Sequence, residues 1–468
     1  MRGNGSGGAI KIPARASMWY IGASVTAKAI GMLMTPAFTR LLSGAEYGEY
    51  ALYMSWLGLS ASVATGIIPQ SVIYKGMQKF EGMNQGYVTA VIGAAAVAST
   101  AVGLAVGGVG MVLGLSARLL PTLALQLLFD SVIGVYSARE RYGYSYRGIV
   151  TAAVLQAVGA PIISVVLIRY AGLGGDGRIY GLLLSAMVVF LVITVRCVRY
   201  GGRFYDGEVW RFALGRSARL VPYLLAGAVI AQADRLMISV IHGETVLGRY
   251  SVAHTVGMGL SFVVSGVGAS LTPWIMRKLR AGRVLAVRNI TTIAAMGLCA
   301  AAVFVVAIAP EAIGFLAPRE YSEAVLAVMP IALSAVPSFT VSVSTAGAIF
   351  AEGDRGVSLA AIPGAITGIG LGGILIPRFL YVGAAASGFF AGLVMAIGAY
   401  AVLRKCGLGD IIDIKRIGYY FAFTVGWCGI VVLFYRMAAV RILLLIPAAI
   451  ALTRTAFEIK DVIVERGT

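Results

Sequence analysis

Apolar runs of about 20 residues, separated by short polar breaks, recur from Ser17 to Ala456 and constrain the fold more than any other feature of this chain. A helix of that length crosses the ~30 Å hydrocarbon layer at about 1.5 Å per residue, whereas a membrane strand needs only about 10 alternating residues. The pattern predicts an all-α polytopic membrane protein with about 14 transmembrane helices. They fall near 17–39, 47–69, 86–110, 119–137, 148–169, 179–199, 217–241, 247–276, 289–309, 323–350, 356–376, 382–403, 416–435 and 440–456. Gly107, Gly108, Gly110 and Gly114 blur the break between the third and fourth. With 59 % hydrophobic and 12 % charged residues, the chain could not clothe a water-facing surface.

The basic residues test the count, because cytoplasmic loops are enriched in Lys and Arg. With the N-terminus inside, cytoplasmic segments hold 27 of the 38 basic residues and outer loops hold nine; Lys28 and Arg235 lie within spans. This asymmetry predicts both termini in the cytoplasm. It also accounts for the net charge of +18 without a nucleic-acid partner, leaving anionic membrane lipid as the surface it attracts. The segment after Lys11 and Arg15 is too long for a cleavable signal core and is read as a retained first helix.

A repeat organises the spans. Gly48-Glu49-Tyr50 and Gly248-Arg249-Tyr250 stand 200 residues apart; Pro69 pairs with Pro273, Gly148 with Gly356 and Gly181 with Gly388. Six spans per copy is an even number, so both copies enter the membrane in the same orientation, related by an axis along its normal. The reading is two six-helix bundles, 1–205 and 206–407, in pseudo-twofold parallel repeat around a central cavity, with two extra C-terminal helices in 408–468. The polar stretch 200–216 would link the bundles.

Gly368-Ile369-Gly370-Leu371-Gly372-Gly373 matches GxGxxG, but it sits inside an apolar span. Gly364, Gly368 and Gly372 recur every four residues, the spacing that lets membrane helices pack closely. Cys197, Cys299, Cys406 and Cys428 are scattered, and His242 and His254 are the only histidines, so no disulfide framework or metal site is readable.

Thr35-Pro36-Ala37-Phe38-Thr39-Arg40-Leu41-Leu42, followed by Glu46-Tyr47-Gly48-Glu49-Tyr50, resembles the pattern TP…TRLLSPxEYGxY of the polysaccharide-repeat-unit flippases, with Gly44 replacing the second proline. These belong to the multidrug, oligosaccharidyl-lipid and polysaccharide exporter superfamily. Ile68-Pro69-Gln70 is similar to the family's end of the second span, and Asp234-Arg235-Leu236-Met237-Ile238 to its DRxxI. Leu375-Ile376-Pro377-Arg378-Phe379 with Val382-Gly383-Ala384-Ala385 resembles its LIPxFGxxGAA turn, with Leu380 in place of the first glycine. The resemblance implies a flippase for polyprenyl-diphosphate-linked oligosaccharide in a prokaryotic cytoplasmic (inner) membrane, working by alternating access. It also implies a polysaccharide polymerase and a chain-length regulator as partners, and no catalytic residues.

Within that frame, Lys28 lies midway along the first span, where an ionised group must face protein or water. Ser24, Lys28, Gly31, Thr35 and Thr39 trace one helical face. Either Lys28 meets the diphosphate, with Ser24 and Thr35 beside it, or it pairs with a buried acid. Arg235 shares a face with Gln232 and is either a substrate contact or part of a fold-level motif with Asp234. Thr122, Gln126, Asp130 and Ser137 on the fourth span, and Ser251, His254, Gly257, Ser261 and Ser265 on the eighth, read as cavity walls. Asp130, Asp234 and His254 are the groups that could couple a proton or sodium ion; each could equally serve helix packing. No cofactor is expected.

The rival readings are a cation-coupled multidrug exporter, a peptidoglycan-precursor flippase, a polysaccharide polymerase and a non-transporting scaffold. Drug cations favour carboxylates inside the membrane, which are few here. A polymerase needs a sizeable outer loop bearing acids or arginines, and these loops are short.

Overall fold

Helix accounts for every regular element among the described residues. A computed structural model describes residues 6–64, 72–80, 84–143, 145, 147–199, 203–218, 221–351, 354–451 and 453. Ile68-Pro69-Gln70, much of the 200–216 linker's start and the segment after Thr453 lie outside them. Among the described residues, ten helical segments are long and apolar enough to cross a membrane, and Ala438–Ala451 is a shorter apolar one.

The chain forms two compact units, Met1–Ala228 and Val229–Thr468. The first contains α1 (Ser6–Leu41), α2 (Gly44–Ala64), α3 (Ile73–Lys79), α4 (Asn84–Val112), α5 (Leu120–Tyr142), α6 (Arg147–Ala171), α7 (Gly174–Arg199) and α8 (Gly207–Ala218). The boundary falls within α9 (Val221–His242). The second continues through α10 (Glu244–Arg280), α11 (Val284–Leu316), α12 (Val328–Leu333), α13 (Ala335–Phe350), α14 (Asp354–Lys405), α15 (Ile414–Leu433) and α16 (Ala438–Leu444). Each unit has its own core: Val91, Val135, Val189 and Ile193 are among the buried residues of the first, and Leu298, Val303, Phe339 and Val431 of the second. Large apolar side chains such as Leu33, Val112 and Leu433 stay exposed, as hydrocarbon-facing positions should.

The breaks have local causes. Ser43 caps α2 by a reciprocal box: its amide and hydroxyl donate to Glu46 Oε2, each at 2.8 Å, and the Glu46 amide donates back to Ser43 Oγ at 3.3 Å. The Ser43 amide on Glu46 holds its carboxyl below the usual range. The blurred break between the third and fourth spans is real. Helix α4 ends at Val112; Gly114, just beyond it, has a φ of +105° that suits glycine, and the Leu115 amide closes back on the Gly110 carbonyl at 2.7 Å. A 3-10 turn, Ala117–Leu119, then leads into α5.

The eleventh and twelfth expected spans are one element, α14, broken at Leu380 (φ 48°, ψ −120°). That conformation is costly for a residue with a Cβ, and it falls where the resembled turn has glycine. Three residues on, a Cβ on Gly383 would collide with the Leu375 carbonyl oxygen, so the turn admits only glycine there. The GxGxxG stretch lies wholly within the first half of α14. Cβ atoms on Gly364 and Gly368 would approach Ala391, and one on Gly372 would approach Met237. These glycines pack helices.

Two outcomes follow. Leu380→Gly should raise stability by about 1 kcal/mol through relief of backbone strain, read as a higher Tm of the detergent-purified protein. Asp413 caps α15 and pairs with Arg288 of α11 at 2.7 Å, which holds its carboxyl below the usual range. A lowered folded pKa contributes stability above the ordinary value that is lost as pH falls through the lowered one. Asp413→Asn should therefore lower Tm slightly at neutral pH, and the gap from wild type should close as pH drops below about 4.

Candidate functional site

Helices α9 and α10 converge their polar groups in the second unit. The Arg235 guanidinium donates through Nη1 to Gln232 Oε1 at 3.3 Å, one turn earlier on α9. Its Nη2 lies 2.6 Å from His254 Nδ1 and 3.2 Å from Nε2. A guanidinium only donates, so this contact uses the lone pair of a ring nitrogen, which a neutral imidazole supplies. Arg235 Nε is buried without an acceptor among the described residues. Arg235 is thus held by neutral groups rather than by an ion pair.

Asp234 points elsewhere. Its Oδ1 accepts from the Arg235 amide at 2.8 Å and its Oδ2 from the Tyr250 hydroxyl at 2.6 Å. Tyr250 is the repeat tyrosine of Gly248-Arg249-Tyr250 and is fully buried. The motif pair Asp234-Arg235 therefore divides between two partners on α10: the acid meets the Tyr250 hydroxyl and the arginine the His254 ring. Arg249 extends from the same helix to Glu323 at 2.8 Å, in the 3-10 turn Arg319–Ala327 that precedes α12.

The first unit repeats this construction with the charges exchanged. Glu49, 200 residues before Arg249, accepts from Arg118 at 2.6 Å, and Arg118 also pairs with Asp176 at 3.0 Å. Arg118 lies in the 3-10 turn before α5. Tyr50, the counterpart of Tyr250, places its ring 3.7 Å from the guanidinium carbon of Arg178, which also lies 4.2 Å from Phe38 and 4.8 Å from Tyr47. Arg178 lines a cavity of about 180 Å³.

The expected strip on α1 splits along its length. Lys28 and Gly31 are exposed, whereas Thr35 and Thr39 are buried. The Thr35 hydroxyl donates to the Gly31 carbonyl at 3.2 Å, its own helix; the Ser24 side chain lies outside the described residues. On α5, Asp130 Oδ1 accepts from Gln126 at 3.0 Å, while the buried Thr122 hydroxyl donates to Leu119 within its own chain turn. Thr122 and Gln126 face helix packing instead of a cavity. On α10, a Cβ on Gly257 would strike Ile331, so Gly257 contacts α12. In the second unit the structure brings His254 of α10 to Gln232 and Arg235 of α9 and adds Tyr250; in the first it adds Arg178. A shared helical face signals Gln232 and Arg235; the Arg178 contacts cross more than 100 residues and leave no local trace.

A family profile described as polysaccharide biosynthesis protein matches residues 37–326. No curated protein matches the chain. The fold is that of "Lipid II flippase MurJ, inward closed conformation", with a TM-score of 0.73 at 12 % identity, covering 95 % of this chain and 99 % of that one. An inward-facing multidrug resistance MATE family transporter of the MOP superfamily matches with a TM-score of 0.63 at 14 % identity, over 86 % and 98 % of the two chains. A MOP superfamily transporter from Pyrococcus furiosus matches at 0.55 and 16 %, over 88 % and 96 %.

Removing the Tyr250 hydroxyl should strand a buried carboxylate oxygen. Tyr250→Phe is expected to destabilise by about 1–3 kcal/mol, read as the unfolding midpoint in detergent, whereas Gln232→Ala should change it by well under half as much.

Proposed function

The chain belongs to the polysaccharide biosynthesis protein family, and from that premise we propose that it flips polyprenyl-diphosphate-linked oligosaccharide repeat units from the inner to the outer leaflet of the cytoplasmic membrane. Family and fold are those of a transporter. One observation carries the substrate class: Arg235, inside an apolar span, has neutral partners, Gln232 and His254, and a buried Nε that lacks an acceptor among the described residues. An arginine left so in a span is suited to an incoming anion, because a guanidinium binds phosphate with paired donors. Lys28, exposed on α1, is a second candidate cation for phosphate.

A charged head cannot leave water for hydrocarbon unaided, since stripping an ion costs several kcal/mol or far more. Alternating access gives it a polar route while the isoprenoid tail stays in lipid. An inside-negative potential favours outward movement by about 2.3 kcal/mol per negative charge per 100 mV, so ion coupling is not required. The products feed a polymerase and a chain-length regulator, with both termini of this chain in the cytoplasm. A second reading, coupling to a proton or sodium ion at Asp130, Asp234 or His254, is favoured by one contact: an imidazolium has no lone pair for Arg235, so protonation of His254 would free the guanidinium.

In liposomes, a fluorescent polyprenyl-diphosphate oligosaccharide should cross the bilayer with the wild type and at least ~10-fold more slowly with Arg235→Ala or Lys28→Ala, a loss of about 1.4 kcal/mol. Uptake of cationic dyes with no lipid crossing would move the assignment to drug export.

A further inference from the structure

The polar stretch that follows α7 folds into α8, and α8 has two unlike faces. Val209, Ala213 and Ser217, spaced by four, are buried, and the Phe212 ring meets that of Phe80, just after α3, at 5.8 Å. The opposite side carries Arg211, Leu214, Gly215 and Ala218, all exposed. Just before the helix, Arg203, Phe204 and Tyr205 are exposed as well, Tyr205 by 69 %. Exposed rings beside arginines suit a membrane interface better than a solvated linker.

Local contacts hold this patch in shape. Asp206 Oδ1 accepts from the Glu208 and Val209 amides, each at 3.0 Å, and so starts α8. The Trp210 indole donates to the Phe204 carbonyl at 3.0 Å, and its ring meets Tyr205 edge-on at 5.1 Å. The same carbonyl leaves no room for a Cβ on Gly93 of α4, and this contact sets the depth of the patch. Gly93 lies about 10 Å along the apolar span that begins at Gly86. That span has 27 residues and is about 40 Å long, about 10 Å more than the hydrocarbon layer is thick. Phe204 therefore reaches the zone where headgroups give way to hydrocarbon, the level that favours tyrosine and tryptophan.

The nearby acids are engaged. Asp206 serves the cap, and Glu208 pairs at 3.4 Å with Lys79, whose ammonium also lies 5.3 Å from the Phe212 ring. Arg203 and Arg211 enter no ion pair among the described residues. We infer that the face formed by Arg203, Phe204, Tyr205, Arg211 and Leu214 docks on anionic phospholipid in the leaflet bordering this end of the span. The rings and Leu214 enter the interface, and the two guanidiniums take headgroup phosphates. This docking does not rest on the identity of the transported substrate.

The test is hydrogen–deuterium exchange of the full-length protein in nanodiscs of phosphatidylglycerol or of phosphatidylcholine. Backbone amides of 204–215 should exchange at least ~5-fold more slowly in phosphatidylglycerol, whereas those of α11 should not differ. Arg203→Gln combined with Arg211→Gln should erase the difference; both side chains are exposed, so the fold is kept. Tyr205→Ser should speed exchange in both lipids, because the aromatic part of the anchor does not depend on headgroup charge. Equal exchange of the wild type in the two lipids, or a difference that survives the double arginine change, overturns the proposal. So does protection by added polyglutamate without protection by phosphatidylglycerol, which would give the face to an acidic protein.

Discussion

Hydrocarbon offers no hydrogen-bond partner, so each polar or charged group that this chain carries into a span must be answered by protein, by water or by a ligand. The structure answers most of them within a turn or across one helix contact. Thr35, Ser55, Ser60 and Thr340 donate to carbonyls of their own helices. Asp234 takes the Tyr250 hydroxyl, and Arg441 takes Glu311 at 2.6 Å. Among the described residues Arg235, Arg178 and Arg441 each keep a buried guanidinium nitrogen without an acceptor. They differ in what holds the rest of the group: Arg441 has the carboxylate of Glu311, Arg235 has Gln232 and His254, and Arg178 has three aromatic rings.

The two units share one kind of joint. Each ties the start of a helix to a 3-10 turn through one ion pair, Glu49 with Arg118 and Arg249 with Glu323. The signs are exchanged, yet the joint persists, so the attraction matters more than which side bears which charge. The tyrosines that follow differ further. Tyr250 donates a hydrogen bond to a buried acid, whereas Tyr50 presents its ring face to a cation.

Much of this was legible in the sequence because hydropathy and helical period are local properties. The fourteen apolar runs all coincide with helix where the residues are described, and the glycine run in α14 reads correctly as packing because its spacing is four. Gln232 and Arg235 share a face by the same arithmetic. Periodicity says which residues share a face but not what that face meets. It therefore assigned Thr122 and Gly257 to cavity walls, when the buried Thr122 bonds the 3-10 turn before its helix and Gly257 contacts Ile331. The Arg178 cage was invisible for a different reason: its partners, Phe38, Tyr47 and Tyr50, belong to helices distant in sequence, and a basic residue near a loop is ordinarily solvated. Leu380 was visible as a departure from the resembled turn, but only its φ of 48° shows that the departure carries strain.

The central claim is that Arg235 waits for the substrate's diphosphate. The most direct measurement is a structure of the protein in lipid nanodiscs with a polyprenyl-diphosphate oligosaccharide bound. Phosphate oxygens within about 3 Å of the Arg235 guanidinium, with its contact to His254 lengthened or lost, are the predicted result. A bound substrate whose phosphates lie on other residues, with Arg235 still seated against His254 and Gln232, would contradict it.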